Sequence, residues 1–198
     1  KGIPVIASGV PFDQSAPVIT TVVSNNYEGG YITGLYCAKY FKDPIKIVTI
    51  PGSVGHPVSN SRLNGFMAGW VYGKMQLKGT AKEYREDAML EGYNYFKELV
   101  QTGKADMSKY DCKVAGTANG NWNEVDGMAA AEDLLTANPD VALIFAENDH
   151  MGIGASKVLE QRKLTGKIEI ACAADGDAKA IELVRDGVLL TSGYNNPV

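Results

Sequence analysis

The stretch Val141-Ala-Leu-Ile-Phe-Ala-Glu-Asn-Asp149 decides the fold. Six apolar residues end abruptly in Glu147, Asn148 and Asp149, and helical periodicity begins at His150. A buried strand with polar side chains at its carboxyl end is where open α/β sheets hold ligands. The layout returns in Ile168-Glu-Ile-Ala-Cys-Ala-Ala-Asp175-Gly176. Two neighbouring strands then present Asn148 and Asp175 on one rim. Such a rim suits a polar binding cleft better than a catalytic centre.

Outward from this pair, the chain alternates. Ile3–Ala7 and Val18–Val23 read as strands with only a loop, Pro11–Pro17, between them. Ser24-Asn25-Asn26 supplies helix-capping chemistry for a helix over Tyr27–Phe41. Gly29, Gly30 and Gly34 are costly inside a helix, so they predict close packing on a sheet or a neighbouring lobe. Then come a strand at Lys46–Ile50, a Gly/Ser/His/Pro loop to Ser59 and a helix from Asn60 to about Met75. Residues 76–111 are less regular, with helical spacing over Glu83–Val100. A short strand at Lys113–Ala115 leads into the polar loop Gly116–Asn123. The helix Glu124–Ala137 is stopped by Asn138-Pro139. Strand Val141–Ala146, helix Met151–Gln161, strand Ile168–Ala173, helix Ala178–Asp186 and strand Val188–Ser192 complete the order. Repeated β-α units predict an α/β fold: a doubly wound parallel sheet with helices on both faces.

Composition excludes several classes. With 198 residues, one large domain or two small ones can bury a core. A net charge of -4 without a Lys/Arg cluster argues against nucleic acid as a partner. Cys37, Cys112 and Cys172 are an odd number with no CxxC, and Cys37 and Cys172 sit in apolar runs. No apolar run approaches the ~20 residues of a membrane span. The chain begins in mid-pattern at Lys1-Gly-Ile-Pro, as if inside a strand.

Each polar candidate has two readings. Asp149, and Asp175 or Asp177, stand where helix caps belong, and Asp149 fits that role best. Asn148 and Asp175 end the apolar runs themselves and fit a ligand role. Gly52-Ser-Val-Gly-His56-Pro, followed by a helix start, can cradle an anion, yet it has neither a P-loop nor a GxGxxG pattern. Arg62 falls in the first helical turn, where the dipole disfavours a cation. It is either a surface residue or the partner of Asp175 or a ligand hydroxyl. His56 is a ligand donor or a plain loop residue. Trp122, in the polar loop Asn119-Gly-Asn-Trp-Asn123, either stacks on a sugar ring or covers the sheet edge. Neither a metal-ligand set nor a GxSxG nucleophile is seen, so no metal, cofactor or catalytic residue is expected.

Together, Gly2-Ile-Pro-Val-Ile6, Ser24-Asn-Asn-Tyr-Glu-Gly-Gly30, Arg62-Leu-Asn-Gly-Phe66 and Leu134-Leu-Thr-Ala-Asn-Pro-Asp-Val141 form an ordered set. Ile144-Phe-Ala-Glu-Asn-Asp-His-Met-Gly-Ile-Gly-Ala155, Asp175-Gly176, Asp186-Gly187 and Asn195-Asn-Pro197 extend it. In this order the chain resembles the sugar-binding proteins of bacterial ABC importers, of the ribose- and galactose-binding type, with the type 1 periplasmic binding protein fold. The resemblance implies two lobes with a ligand between them and an incomplete chain. Residues 1–24 would be a remnant of the N-terminal lobe and crossover. Residues 25–198 would be the C-terminal lobe, with an insertion around 76–111.

By the same resemblance, Arg62, Trp122, Asn148, Asp175, Asn195 and His56 would be the ligand-binding residues. Gly9-Val10 stand where ribose-type proteins place Asp-Arg, and Val58 replaces an Asp of galactose-type relatives. Both changes remove polar contacts. The implied function is the substrate-binding component of an ABC transporter, holding a monosaccharide, polyol or similar molecule. Its implied place is the periplasm or the outer face of the cell membrane, with a lipid anchor, and its implied partner is a membrane permease. Loss of the first lobe would also expose surface for pairing with another chain. The alternative is the ligand-sensing domain of a lac-repressor-type transcription regulator, which shares the fold.

Overall fold

In the computed structural model, which describes residues 3–9 and 15–194, the chain forms an α/β fold with two sheets. Strands β1 (Ile6–Ser8) and β2 (Thr20–Val22) pair in parallel as a small sheet of their own. The main sheet has β3 (Ile45–Ile50), β4 (Ala105–Met107), β5 (Cys112–Thr117), β6 (Leu143–Ala146), β7 (Glu169–Cys172) and β8 (Thr191–Ser192). Their spatial order is β4-β5-β3-β6-β7-β8. All neighbours are parallel except β4, which runs antiparallel to β5.

The wholly parallel expectation therefore needs one correction. Residues 76–111 carry the edge strand β4, which returns through a 3-10 turn at Ser108–Tyr110 and a left-handed Asp111 (φ 57°). Three residues, Ala-Asp-Met, are too few to show a period.

Among the described residues, six helices flank the strands: α1 (Asn26–Tyr40), α2 (Pro57–Leu77), α3 (Glu86–Thr102), α4 (Glu124–Ala137), α5 (Asp149–Gln161) and α6 (Ala178–Arg185). The strands sort their side chains by the period of two. Ile47, Leu143, Phe145 and Ala171 enter one core with α1, α2 and α3. Val48, Ile50, Ile144, Ala146, Ile170 and Cys172 enter the other with α4, α5 and α6. Phe66 of α2 stacks on Phe145 with ring centroids 3.9 Å apart. Burying a side chain of that size contributes about 1.5–3 kcal/mol.

The glycines of α1 pack on another helix more than on the sheet. A Cβ at Gly30 would meet the Arg62 carbonyl oxygen at 1.9 Å, and one at Gly65 would meet that of Tyr27 at 2.0 Å. Gly34 and Gly69 repeat the arrangement one turn along, against Phe66 and Tyr31. Only Gly29 faces the sheet, at the carbonyl of Ala173. The two backbones touch, and this brings the first turn of α1 alongside Arg62.

Helix starts follow local chemistry. Asn25 caps α1 by accepting from the Glu28 amide, and Asn123 caps α4 through the Asp126 amide. Helix α2 begins at Pro57, earlier than the sequence pattern suggests, because His56 caps it and proline suits the first helical position. Arg62 accordingly lies in the second turn of α2, not the first.

Candidate functional site

The chain reverses direction across the sheet between β3 and β6. To one side of β3 lie β5 and β4; to the other lie β6, β7 and β8. Open α/β sheets hold ligands outside the carboxyl ends of their strands at such a switch. Here the loops after β3, β5, β6 and β7 border a cleft of about 410 Å³ lined by Gly9, Ser24, Asn26, His56, Val58, Arg62, Trp122, Asn148 and Asp175.

Five of the six candidates thus come together: Arg62, Trp122, Asn148, Asp175 and His56. The sixth, Asn195, lies outside the described residues. Gly9 and Val58 also line this cleft. Asn26 and Ser24 were not singled out by the sequence as cleft residues. Asn25 takes the cap of α1, and Asn26 faces Arg62.

Arg62 is the centre of the charge network. Its side chain is only 8% exposed. Nε donates to Asn26 Oδ1 at 3.0 Å, Nη1 to the Glu147 carbonyl at 2.8 Å, and Nη2 lies 3.5 Å from Asp175 Oδ1. The guanidinium carbon is also 5.6 Å from the centre of the Trp122 ring, within cation–π range. Burial lowers the Arg62 pKa, against the pull of Asp175 and Glu147. Asp175 is 46% exposed at its side chain; its pKa is raised by partial burial and held back by Arg62. Carboxylate and guanidinium stand side by side at the cleft surface, one accepting and the other donating. That pair can match adjacent hydroxyls on one small molecule.

Trp122 is held from several sides. Asn121 and Trp122 both adopt left-handed backbone (φ 46° and 62°), which puts the indole at the loop surface. The Asn148 amide donates to the Trp122 carbonyl at 3.2 Å. A Cβ on Gly52 would lie 2.2 Å from the indole carbons, so the ring sits directly on the Gly52 backbone. His56 meets the indole at a steep angle of 71°, with centroids 5.8 Å apart. Because His56 Nδ1 accepts from the Val58 amide, a neutral imidazole carries its proton on Nε2 as a donor. Trp122 also packs against the core beneath α4 and α5, so it lines the cleft and covers the sheet end at once.

The end of β6 corrects one expectation. Asp149 is not the cap of α5. Asn148 is: its Oδ1 accepts from the Met151 amide at 3.1 Å. Asn148 therefore spends its oxygen on the helix and one amide hydrogen on Trp122. Asp149, fully buried, accepts from the Gly176 and Asp177 amides at 2.8 and 2.7 Å and from the Ser192 hydroxyl at 2.6 Å. It ties down the loop that carries Asp175, while Asp177 caps α6.

Sequence reasoning passed over Glu147 as well. It is fully buried, and its Oε2 accepts from the Gly52 amide at 2.8 Å and from the Ser59 hydroxyl. Burial pushes its carboxyl up to about 8. The available signal was a Glu closing an apolar run, where a charged residue seldom sits unless it is bonded.

Among the described residues no group of three or more His, Cys, Asp or Glu is placed to hold a metal ion, and no helix is long and apolar enough to cross a membrane. The three cysteines are buried and unbridged.

Fold and cleft together define a class, an α/β fold with a polar cleft at the carboxyl ends of its parallel strands. The chain belongs to the periplasmic binding protein domain family, whose model matches residues 1–198, and it has the type 1 fold of that family. It is 24% identical over 173 residues to the ribose import binding protein of Escherichia coli (strain K12), covering 87% of this chain and 45% of that protein. It is 31% identical over 101 residues to the fructose import binding protein of Bifidobacterium longum (strain NCC 2705), covering 49% of this chain and 30% of that one. Among solved structures it is similar to an ABC transporter periplasmic solute binding protein from Actinobacillus succinogenes 130z with bound D-allose. The TM-score there is 0.69 and the identity 25%, over 95% of this chain and 55% of that chain. The chain spans about half the length of curated relatives such as the ribose import binding protein.

Proposed function

We propose that this chain is the ligand-binding lobe of a solute-binding protein that serves an ABC importer, and that it holds a sugar or sugar-like molecule in the cleft around Arg62. The observation that carries the reading is the juxtaposition of Arg62, Asp175 and Trp122. A paired donor and acceptor stand beside an aromatic ring, within a cleft of about 410 Å³. Hydroxyls bond to the pair, the apolar face of the ring packs on the indole, and His56 Nε2 adds a donor. No bond is made or broken. The mechanism is hinge closure of two lobes over the ligand.

In this reading residues 25–198 are the second lobe and residues 1–24 the crossing from the first. The separate β1–β2 sheet supports that division, and Ile6 and Val22 on it, with Ile19 beside it, are exposed as surface a first lobe would cover. The α3–β4 segment is the insertion around 76–111. Asn195 would join the cleft at the return crossing. The names of the curated relatives favour import over the transcription-regulator alternative. The protein would work in the periplasm or at the extracellular face of the cell membrane, lipid-anchored, with a permease as its partner.

A single lobe offers half a cleft, so binding by this chain should be weak. Ligand-observed NMR, which detects millimolar binding, is the test, with pentoses, hexoses, polyols, amino acids and nucleotides as the panel. Signals from one or more sugars that vanish in W122A and D175A are expected. A response confined to amino acids or nucleotides would overturn the sugar reading, and tight binding would overturn the half-cleft reading.

A further inference from the structure

Glu147 lies where β6 ends, at the switch between β3 and β6, and reaches back under the loop that follows β3. Its Oε2 takes two hydrogen bonds from that loop and the start of α2, from the Gly52 amide and the Ser59 hydroxyl. The Ser59 oxygen in turn accepts from the Ser53 amide at 3.4 Å, closing the segment that leads to His56. The Glu147 carbonyl receives Arg62 Nη1. The Trp122 indole sits on Gly52, so the position of Gly52 fixes the position of the ring. One buried side chain thereby bears on two cleft residues, Trp122 and His56, without lining the cleft itself, while its backbone carbonyl holds a third, Arg62.

We propose that Glu147 is a positioning residue of the ligand cleft, a proton-dependent clamp whose carboxyl holds the β3–α2 loop and so sets the seat of Trp122. The proposal rests on the cleft being the ligand site and adds how that site is kept in shape. The clamp tightens when the carboxyl ionises, because both of its bonds are accepted by Oε2. Burial opposes the charge on Glu147, while the Gly52 amide, the Ser59 hydroxyl and Arg62 all favour it. Oε1 has no hydrogen-bond partner among the described residues.

Arg62 on α2 is the charged group that acts on Glu147, yet its guanidinium nitrogens are turned to Asn26, the Glu147 carbonyl and Asp175. Asp149 on α5 is engaged with Gly176, Asp177 and Ser192, and His56 caps α2. Loss of the Glu147 proton, which burial delays to about pH 8, leaves a charge to which the Gly52 amide and the Ser59 hydroxyl bond more strongly, drawing the loop and the Trp122 seat inward.

Tryptophan emission of the intact, ligand-free chain, titrated through pH 8 or so, tests this. Subtracting the W122F spectrum isolates Trp122 from the core residue Trp70. The expected result is one shift of Trp122 emission centred at about pH 8 in the unmodified chain. E147Q, the neutral isostere, should hold the low-pH spectrum throughout, and E147A should differ from both at every pH. If E147A does not fold, the comparison with E147Q decides alone. A transition that persists in E147Q belongs to another group and overturns the proposal. So does the absence of any transition in the unmodified chain. No sugar is present, so failure of the sugar panel and failure of the clamp are read separately.

Discussion

The ends of β6 and β7 occupy equivalent places in successive β-α units, yet they use their polar residues in opposite ways. At the end of β6, Glu147, Asn148 and Asp149 are all buried, and each turns its side chain to the protein's own backbone. At the end of β7, Asp175 is half exposed and its carboxylate pairs with Arg62. One strand end is a frame and the other a contact surface. The frame exists to hold the surface: Asp149 pins the two amides that follow Asp175, and Glu147 seats the loop under Trp122. Polar residues at a strand end therefore do not all belong to the ligand.

This contrast predicts a ranking of stability effects, with Asp149 first. D149A leaves the Gly176 and Asp177 amides and the Ser192 hydroxyl without their acceptor. Breaking such a buried network typically costs about 3–5 kcal/mol. Urea denaturation should show that loss, and a change under about 1 kcal/mol would mean the β6 end is not the frame described.

Glu147 comes next, and its effect depends on pH. Its folded pKa is raised from 4.5 to about 8, so the folded chain keeps a proton that the unfolded chain releases. The stability this confers is full below pH 4.5 and is lost as pH rises toward 8. The slope for one fully linked proton is about 1.4 kcal/mol per pH unit. E147Q has no proton to lose. Its thermal unfolding midpoint should therefore gain on the unmodified chain as pH rises from about 5 to 8, and parallel curves would exclude the linkage.

The sequence made the frame and the surface look alike. The apolar run 141–146 and its repeat at 168–174 show where the strands end, because a buried parallel strand must be apolar on both sides. They do not show which way a terminal side chain turns. Asn148 and Asp149 are adjacent, and either can cap a helix. What separates them is the loop brought alongside by β7, a long-range contact with no local signature. Arg62 was legible because a cation near a helix start needs an outside partner. Asp175 proved to be that partner, although the helix began earlier than its pattern suggested. The α1 glycines signalled close packing, but whether they met a sheet or α2 depended on Gly65 and Gly69 facing them. Strand β4 was too short to carry a pattern.

Asn148 ranks third, standing between frame and surface. N148A removes the cap of α5 and the donor to the Trp122 carbonyl, and losing a cap costs about 1 kcal/mol. N148D keeps the cap acceptor but loses the donor, so it should be milder for stability while still loosening Trp122. Equal losses in the two variants would mean that the bond to Trp122, not the cap, supports this position.

Asp175 should matter least to folding and most to binding. Its carboxylate is half in solvent, and its contact with the buried Arg62 is long, 3.5 Å, so the solvent-screened pair contributes only about 0–1 kcal/mol. D175N keeps the shape and removes the charge. Its denaturation midpoint should stay within about 0.5 kcal/mol of the unmodified chain. Arg62 would keep Asn26 and the Glu147 carbonyl, and so would not be released into the cleft. Sugar-dependent NMR signals should nonetheless fall, because an amide offers one acceptor where a carboxylate offers two to a pair of hydroxyls. If D175N instead unfolds the chain and leaves sugar signals intact, the two strand ends have been assigned the wrong way round.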